Sequence, residues 1–207
     1  MSATDGSLGC VVNFLVDDQR WNVRHMVVDT GGSLDGRRVL IPPASFREID
    51  KAGRHFHLAL TRAEVQESPK IDTDTPLTSV PGMLQNLTPA EAAAAHACDH
   101  SDAHLRSANA VRGYAIAASD GAAGHLADFI VDDTTWDVRY LAIDTRLWFG
   151  KKVLVMPVWV QHISWDRRTV YLGLTRKAIK ASPSWENDAA IAHEYAASLL
   201  AQGGPPA

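Results

Sequence analysis

The sequence predicts a mainly β protein made of two small β-barrels in tandem, joined by a helical connector. Three observations predict it. The chain repeats itself at a long offset, and each copy is a series of short β-rich runs broken by turn signals. Between the copies lies an alanine-rich stretch that opens with a helix start signal.

The repeat sets the organisation. "FLVDDQRWNVRHMVVDT" (Phe14 to Thr30) returns as "FIVDDTTWDVRYLAIDT" (Phe129 to Thr145), an offset of 115 residues. At that offset the turn Asp5-Gly6 becomes Asp120-Gly121, and Gly9, Trp21 and Arg24 meet Gly124, Trp136 and Arg139. A one-residue deletion in the next loop resets the offset to 114, after which Val39, Leu58, Thr61, Ser68 and Pro69 recur as Val153, Leu172, Thr175, Ser182 and Pro183. The first module is read over residues 1–71, the connector over 72–112 and the second module over 113–186, with a C-terminal helix and tail over 187–207.

Within the second module the strands follow in order as "GYAIAAS", "GHLADFIV", "WDVRYLAIDT", "KVLVMP", "VQHISW" and "TVYLGL". "SDG" at Ser119 to Gly121 is a tight turn between the first two. "WDVRYLAIDT" alternates at its start and becomes apolar on both faces from Tyr140 to Ile143, which suits a closed barrel or a strand covered by a partner. "TRAEV" and "TRKAI" each read as a single helical turn capped by Thr61 or Thr175, and the following "SP" stops it. The first module has only "MSAT" where the second has "RGYAIAAS", so its first strand is expected to be missing, which leaves an edge to be covered. In the connector, "LTPAEAAAAHACDH" has Thr88 as N-cap, Pro89 at the first helical position and Glu91 three residues after the cap. "NDAAIAHEYAASLLA" reads as a weaker helix with Ile191, Tyr195 and Leu199 on one stripe, and "GGPPA" as a disordered end.

Composition narrows the functional classes. Over 207 residues, 46% hydrophobic and 21% charged is an ordinary folded-protein balance. A formal net charge of -4 supplies no basic field for nucleic acid, and the basic pairs Lys151-Lys152 and Arg167-Arg168 are nearly cancelled by nearby acids. No apolar run reaches membrane-spanning length, although peripheral association stays open. The N-terminus lacks the pattern of a signal peptide, and Cys10 and Cys98 make no disulfide framework, so a cytoplasmic setting is expected.

These segments, with "GKKVLVMP", "LTRKAIKASP", "SPKIDTDTP" and "HLRSANAVRGY", resemble the PRC-barrel family. Its members are small β-barrels found in the photosynthetic reaction centre H subunit and the ribosome maturation factor. The chain is most similar to a bacterial subgroup with two such modules. The resemblance implies a binding or scaffolding barrel without shared catalytic residues: a non-enzymatic protein-interaction protein with no cofactor and an unidentified protein partner or a homodimer. The alternative it implies is an accessory or assembly factor for photosynthetic electron transfer or ribosome maturation. The chain lacks the Tyr- and Trp-rich ending of that subgroup. It also has neither a transmembrane helix nor an RNA-binding domain, which argues against a true H subunit or maturation factor.

Candidate sites each carry a plain alternative. Asp17-Asp18 and Asp132-Asp133 could hold a hard cation if other oxygens joined them. The reading preferred here is a hairpin tip, where Asp side chains bond nearby backbone amides. His96 and His100, one helical turn apart, could ligate a metal ion. His104 continues that spacing but lies in "HLRS", where packing or capping accounts for it. Cys98 beside His96 makes a poor nucleophile pair on a helix. Of the 6 tryptophans, only Trp21 lies in the first module. Trp148 and Phe149 interrupt a loop that reads "GGSLDG" in the first copy, and Trp159 stands where the first copy has Ser45. Large loop aromatics are favoured interface anchors, so Trp148, Phe149 and Trp159 form the candidate partner-binding surface. The alternative is that Trp148 packs against the connector or the other barrel.

Overall fold

A computed structural model describes residues 1–33, 36–50, 53–71, 104–146 and 150–185. The chain divides into two compact units, Met1–Asn109 and Ala110–Ala207. The structure is mainly β, with three sheets, and none of them closes into a barrel. The expected connector helix from Thr88 and the expected C-terminal helix lie outside the described residues.

In the first unit the strands are β1 (Ser2–Ala3), β2 (Gly6–Ser7), β3 (Cys10–Asp17), β4 (Asn22–Asp29), β5 (Arg38–Ile41), β6 (Phe46–Asp50), β7 (His55–Leu58) and β8 (Leu105–Ser107). They form two sheets, in the orders β2-β1-β7-β6 and β5-β4-β3-β8. The second unit has β9 (Ala115–Ala118), β10 (Gly121–Val131), β11 (Val138–Asp144), β12 (Lys152–Val155), β13 (Val160–Ser164) and β14 (Thr169–Leu172). These make one sheet in the order β12-β11-β10-β9-β14-β13. The difference is a break in one strand. β10 runs unbroken through both halves of its sheet, whereas its counterpart stops at Leu8 and Gly9, separating β2 from β3.

The first unit's opening strand, expected to be missing, is present as two residues. Ser2 pairs with Ser7 in a hairpin and lies parallel to His57. The corresponding strand of the second unit has four residues and takes the same parallel place beside β14, with Ala117 opposite Tyr171. The second correction concerns Leu105 to Asn109, read as connector. These residues belong to the first unit, because β8 pairs antiparallel with the end of β3.

The three helices among the described residues are one to two turns long. α1 (Arg62–Glu67) has Thr61 as N-cap in a full capping box with Glu64, and α3 (Arg176–Ala181) has Thr175 as N-cap. α2 (Ala108–Val111) follows β8. The Asp of each Asp-Gly turn adds a second cap that the sequence pattern did not disclose. Asp5 Oδ1 accepts from the Arg62 amide at 2.8 Å and Asp120 Oδ1 from the Arg176 amide at 2.7 Å. Each helix therefore starts where its hairpin turn reaches it, and Val65 or Ile179 is buried beneath it. Thr30 and Thr145, both fully buried, donate to the carbonyls of Arg37 and Lys151. Burial of these hydroxyls is tolerated because each is hydrogen-bonded.

Candidate functional site

Both Asp-Asp pairs sit at the tip of the longest hairpin of their unit, and the two members do different work. Asp132 Oδ1 accepts from the amides of Thr134 (2.9 Å) and Thr135 (3.0 Å), while Oδ2 meets Arg139 at 3.1 Å. Asp17 repeats the pattern with the amides of Gln19 (3.0 Å) and Arg20 (2.9 Å) and with Arg24 at 3.3 Å. The first Asp of each pair is thus the organiser of a tight loop. Trp21 and Trp136 close that loop in the left-handed region, with φ of 55° and 63°, each donating its amide to the carbonyl of the organising Asp. Bulky residues seldom adopt that conformation, and the fixed Asx turn imposes it.

The backbone amides beside Asp132, above all that of Thr135 and then that of Thr134, hold its carboxyl down at about 2, with Arg139 adding to the effect. A carboxyl depressed in the folded state contributes stability above its unfolded pKa and loses it as pH falls. For Asp132 the loss falls between roughly pH 4 and 2. The substitution Asp132→Ala is expected to destabilise the second unit by about 1–2 kcal/mol in denaturant unfolding at pH 7. Asp133→Ala is expected to cost less, since Asp133 accepts neither of those amides. Equal losses would mean that the turn does not depend on this acceptor.

The second Asp of the first pair works across the sheet edge. Asp18 takes His104 Nδ1 on Oδ1 at 2.9 Å and Arg106 Nε on Oδ2 at 3.2 Å, while its amide donates to the His104 carbonyl. His104, read as packing or capping, is therefore part of a clamp that holds β8 on β3. Farther along, Asn13 Nδ2 donates to Ser107 Oγ at 2.7 Å, and Asn109 Nδ2 donates to the Val12 carbonyl at 2.9 Å. Between these polar contacts, Leu105 joins Leu15, Val27, Leu40 and Ile71 in one buried cluster.

The equivalent face of the second unit is built differently. Its cluster is Tyr140, Ala142 and Leu154, and Ala127, Ile130, Met156, Trp159 and Trp185 pack against it while remaining partly exposed. By the repeat, Ile130, Ala142, Leu154 and Trp185 occupy the positions of Leu15, Val27, Leu40 and Ile71. Trp159 ends the 3₁₀ turn Pro157–Trp159, and its carbonyl accepts from Gly173 at 2.9 Å, as that of Ser45 does from Ala59 at 2.8 Å. Its neighbour Val158 is 73% exposed. Lys152 Nζ lies 5.7 Å above the Trp185 ring.

Of the residues singled out in the sequence, Trp159 is placed on this face, packed against the same cluster as Trp185. Trp148, Phe149, His96, His100 and Cys98 lie outside the described residues. Among the described residues no group of three or more His, Cys, Asp or Glu could hold a metal ion. No described helix is long and apolar enough to cross a membrane. Sequence reasoning had no signal for His25. Burial, with Arg24 adding to it, pushes its pKa down to about 4, and its Nδ1 has no hydrogen-bond partner. No family model matches the chain, and no curated protein matches it.

Proposed function

We propose that this chain is a non-enzymatic protein-interaction or scaffolding protein built from two PRC-type barrel modules. Its contact surface includes the apolar face of the second unit around Trp159, and Trp148 and Phe149 are the further anchors that the sequence offers. One observation carries the reading: two equivalent faces are finished differently. In the first unit Leu105 completes the cluster and Leu15 is 1% exposed. In the second, two tryptophans, Met156 and Ile130 surround the cluster and remain partly open to solvent. Partly exposed tryptophans grouped on a sheet face are characteristic interface anchors.

The substitution Trp159→Ser leaves the Gly173 amide to Trp159 carbonyl bond in place, because that bond is made by main chain. It is expected to weaken self-association or capture of a co-purifying partner at least tenfold, with an unchanged circular dichroism spectrum. The pair Trp148→Ser and Phe149→Ser is expected to act in the same direction. Sedimentation and pull-down profiles identical to the parent for both variants would overturn the reading.

A further inference from the structure

We infer that the edge of β10 at residues 129–131 is a strand-addition site for a short extended peptide whose side chains run basic, apolar, basic, hydroxyl. This rests on the interaction reading above and names the partner's chemistry.

The pairing of β10 defines the site. On one side it is joined to β11 from His125 to Val131. On the other it pairs with β9 only from Gly121 to His125. Gly113 then donates to the Leu126 carbonyl, and Arg112 Nε donates to that of Ala127, which carries the cover as far as residue 127. From Phe129 to Val131 no strand among the described residues pairs on that side. A sheet edge of this kind offers main-chain donors and acceptors to an incoming strand.

The first unit displays what fits there. Its corresponding edge is taken by β8, with Leu15 opposite Ser107, Val16 opposite Arg106 and Asp17 opposite Leu105. Transferred by the repeat, the incoming apolar residue would lie opposite Asp132, the basic residue opposite Val131 and the hydroxyl residue opposite Ile130. The apolar residue would meet Ile130, Ala142, Leu154 and Trp185, the counterparts of the four residues around Leu105. A basic residue in the place of His104 would reach Asp133, which is exposed and stands where Asp18 stands in the first unit. Opposite charge at that end sets the direction of the strand. Arg112, paired with Asp128 at 3.7 Å, limits the motif to about four residues by occupying the edge beyond.

Other occupants fit less well. Residues 186–207 contain no Arg or Lys to stand in the place of Arg106. The matching segment of a second copy is engaged on its own first unit by the contacts already described.

The test uses the full ¹⁵N-labelled chain titrated with a capped peptide of sequence AHLRSAN, that of residues 103–109. The same segment held within the chain has a high effective concentration, so the free peptide does not displace it from the first unit. Amide signals of residues 129–133 are expected to shift saturably. Replacing the peptide leucine with Asp is expected to weaken binding at least tenfold, and N-methylation of its central amides to abolish it. The variant Asp133→Lys is expected to weaken binding at least fivefold. Absence of saturable shifts, or binding indifferent to N-methylation, would overturn the inference. So would hydrogen-exchange protection of the edge-facing Val131 amide without peptide. Protection independent of concentration would mean that the chain's own residues cover the edge, and protection growing with concentration would assign it to a second copy. Peptide binding with unaltered association of Trp159→Ser would sink the tryptophan surface and leave the edge. Loss of association in Trp159→Ser without peptide binding would do the reverse.

Discussion

Replacing Gly124 with alanine is expected to destabilise the second unit by about 2–4 kcal/mol, read as a fall in the denaturant midpoint. A Cβ at Gly124 would overlap the carbonyl oxygen of Asp144, and its φ of 145° is one that side chains rarely adopt. The obstacle is main chain on both sides. It belongs to the β10–β11 pair, where His125 faces Asp144, so it cannot swing away as a side chain could. Gly9→Ala should act in the same way in the first unit, because its Cβ would overlap the carbonyl oxygen of Asp29. Two other glycines separate the causes. Gly113 has a φ of 86° but open space around its Cβ position, so Gly113→Ala should cost only about 1 kcal/mol of backbone strain. Gly32 has open space and no such φ, and Gly32→Ala should be near neutral. Four equal losses would show that close approach is not the cause.

Those glycines illustrate what the sequence could disclose. Their recurrence at a constant offset was legible, as were the hairpins, the capped turns after Thr61 and Thr175, and the loop role of the Asp pairs, because all of these are local. The reason for the glycines was not legible, since the approach of Asp29 and Asp144 is a contact between strands. The Asp5 and Asp120 caps were hidden for the same reason, each joining residues more than fifty positions apart. β8 was the costliest omission. Three residues within "HLRSANAVRGY" carry no periodicity, and only the exposed edge of β3 makes them a strand. Trp159 was legible as a difference between copies, but its grouping with Trp185, Met156 and Ile130 depends on a face shared by residues from four segments.

The same comparison of copies identifies a titrating group. His25 lies opposite Leu15 on the hairpin, at the position that Tyr140 takes in the second unit. Tyr140 contributes its ring to the cluster there. His25 fills that place with an imidazole whose Nδ1 lacks a partner and whose charged form is opposed first by burial and then by Arg24. With a folded pKa of about 4 against an ordinary 6.5, the folded state binds fewer protons than the unfolded chain between those values. Stability therefore rises with pH across that window: it is fully present above pH 6.5 and declines as pH falls toward 4, by at most about 3 kcal/mol. Chemical unfolding of the full chain at half-unit intervals should show this slope, monitored by Trp21 fluorescence in a variant with the other tryptophans replaced by Phe. The carboxyls of Asp132 and Asp144 are held low by their hydrogen bonds. His55, lowered first by desolvation, adds a slope of the same sign, so the measurement is made in a His55→Gln background. The variant His25→Tyr, which installs the second unit's own residue, is expected to flatten the slope, and His25→Gln to flatten it without adding a ring. A slope that survives in both variants would assign the acid sensitivity to another group. A slope lost in both would place an unpaired imidazole, rather than a carboxyl, as the weak point of the first unit in mild acid.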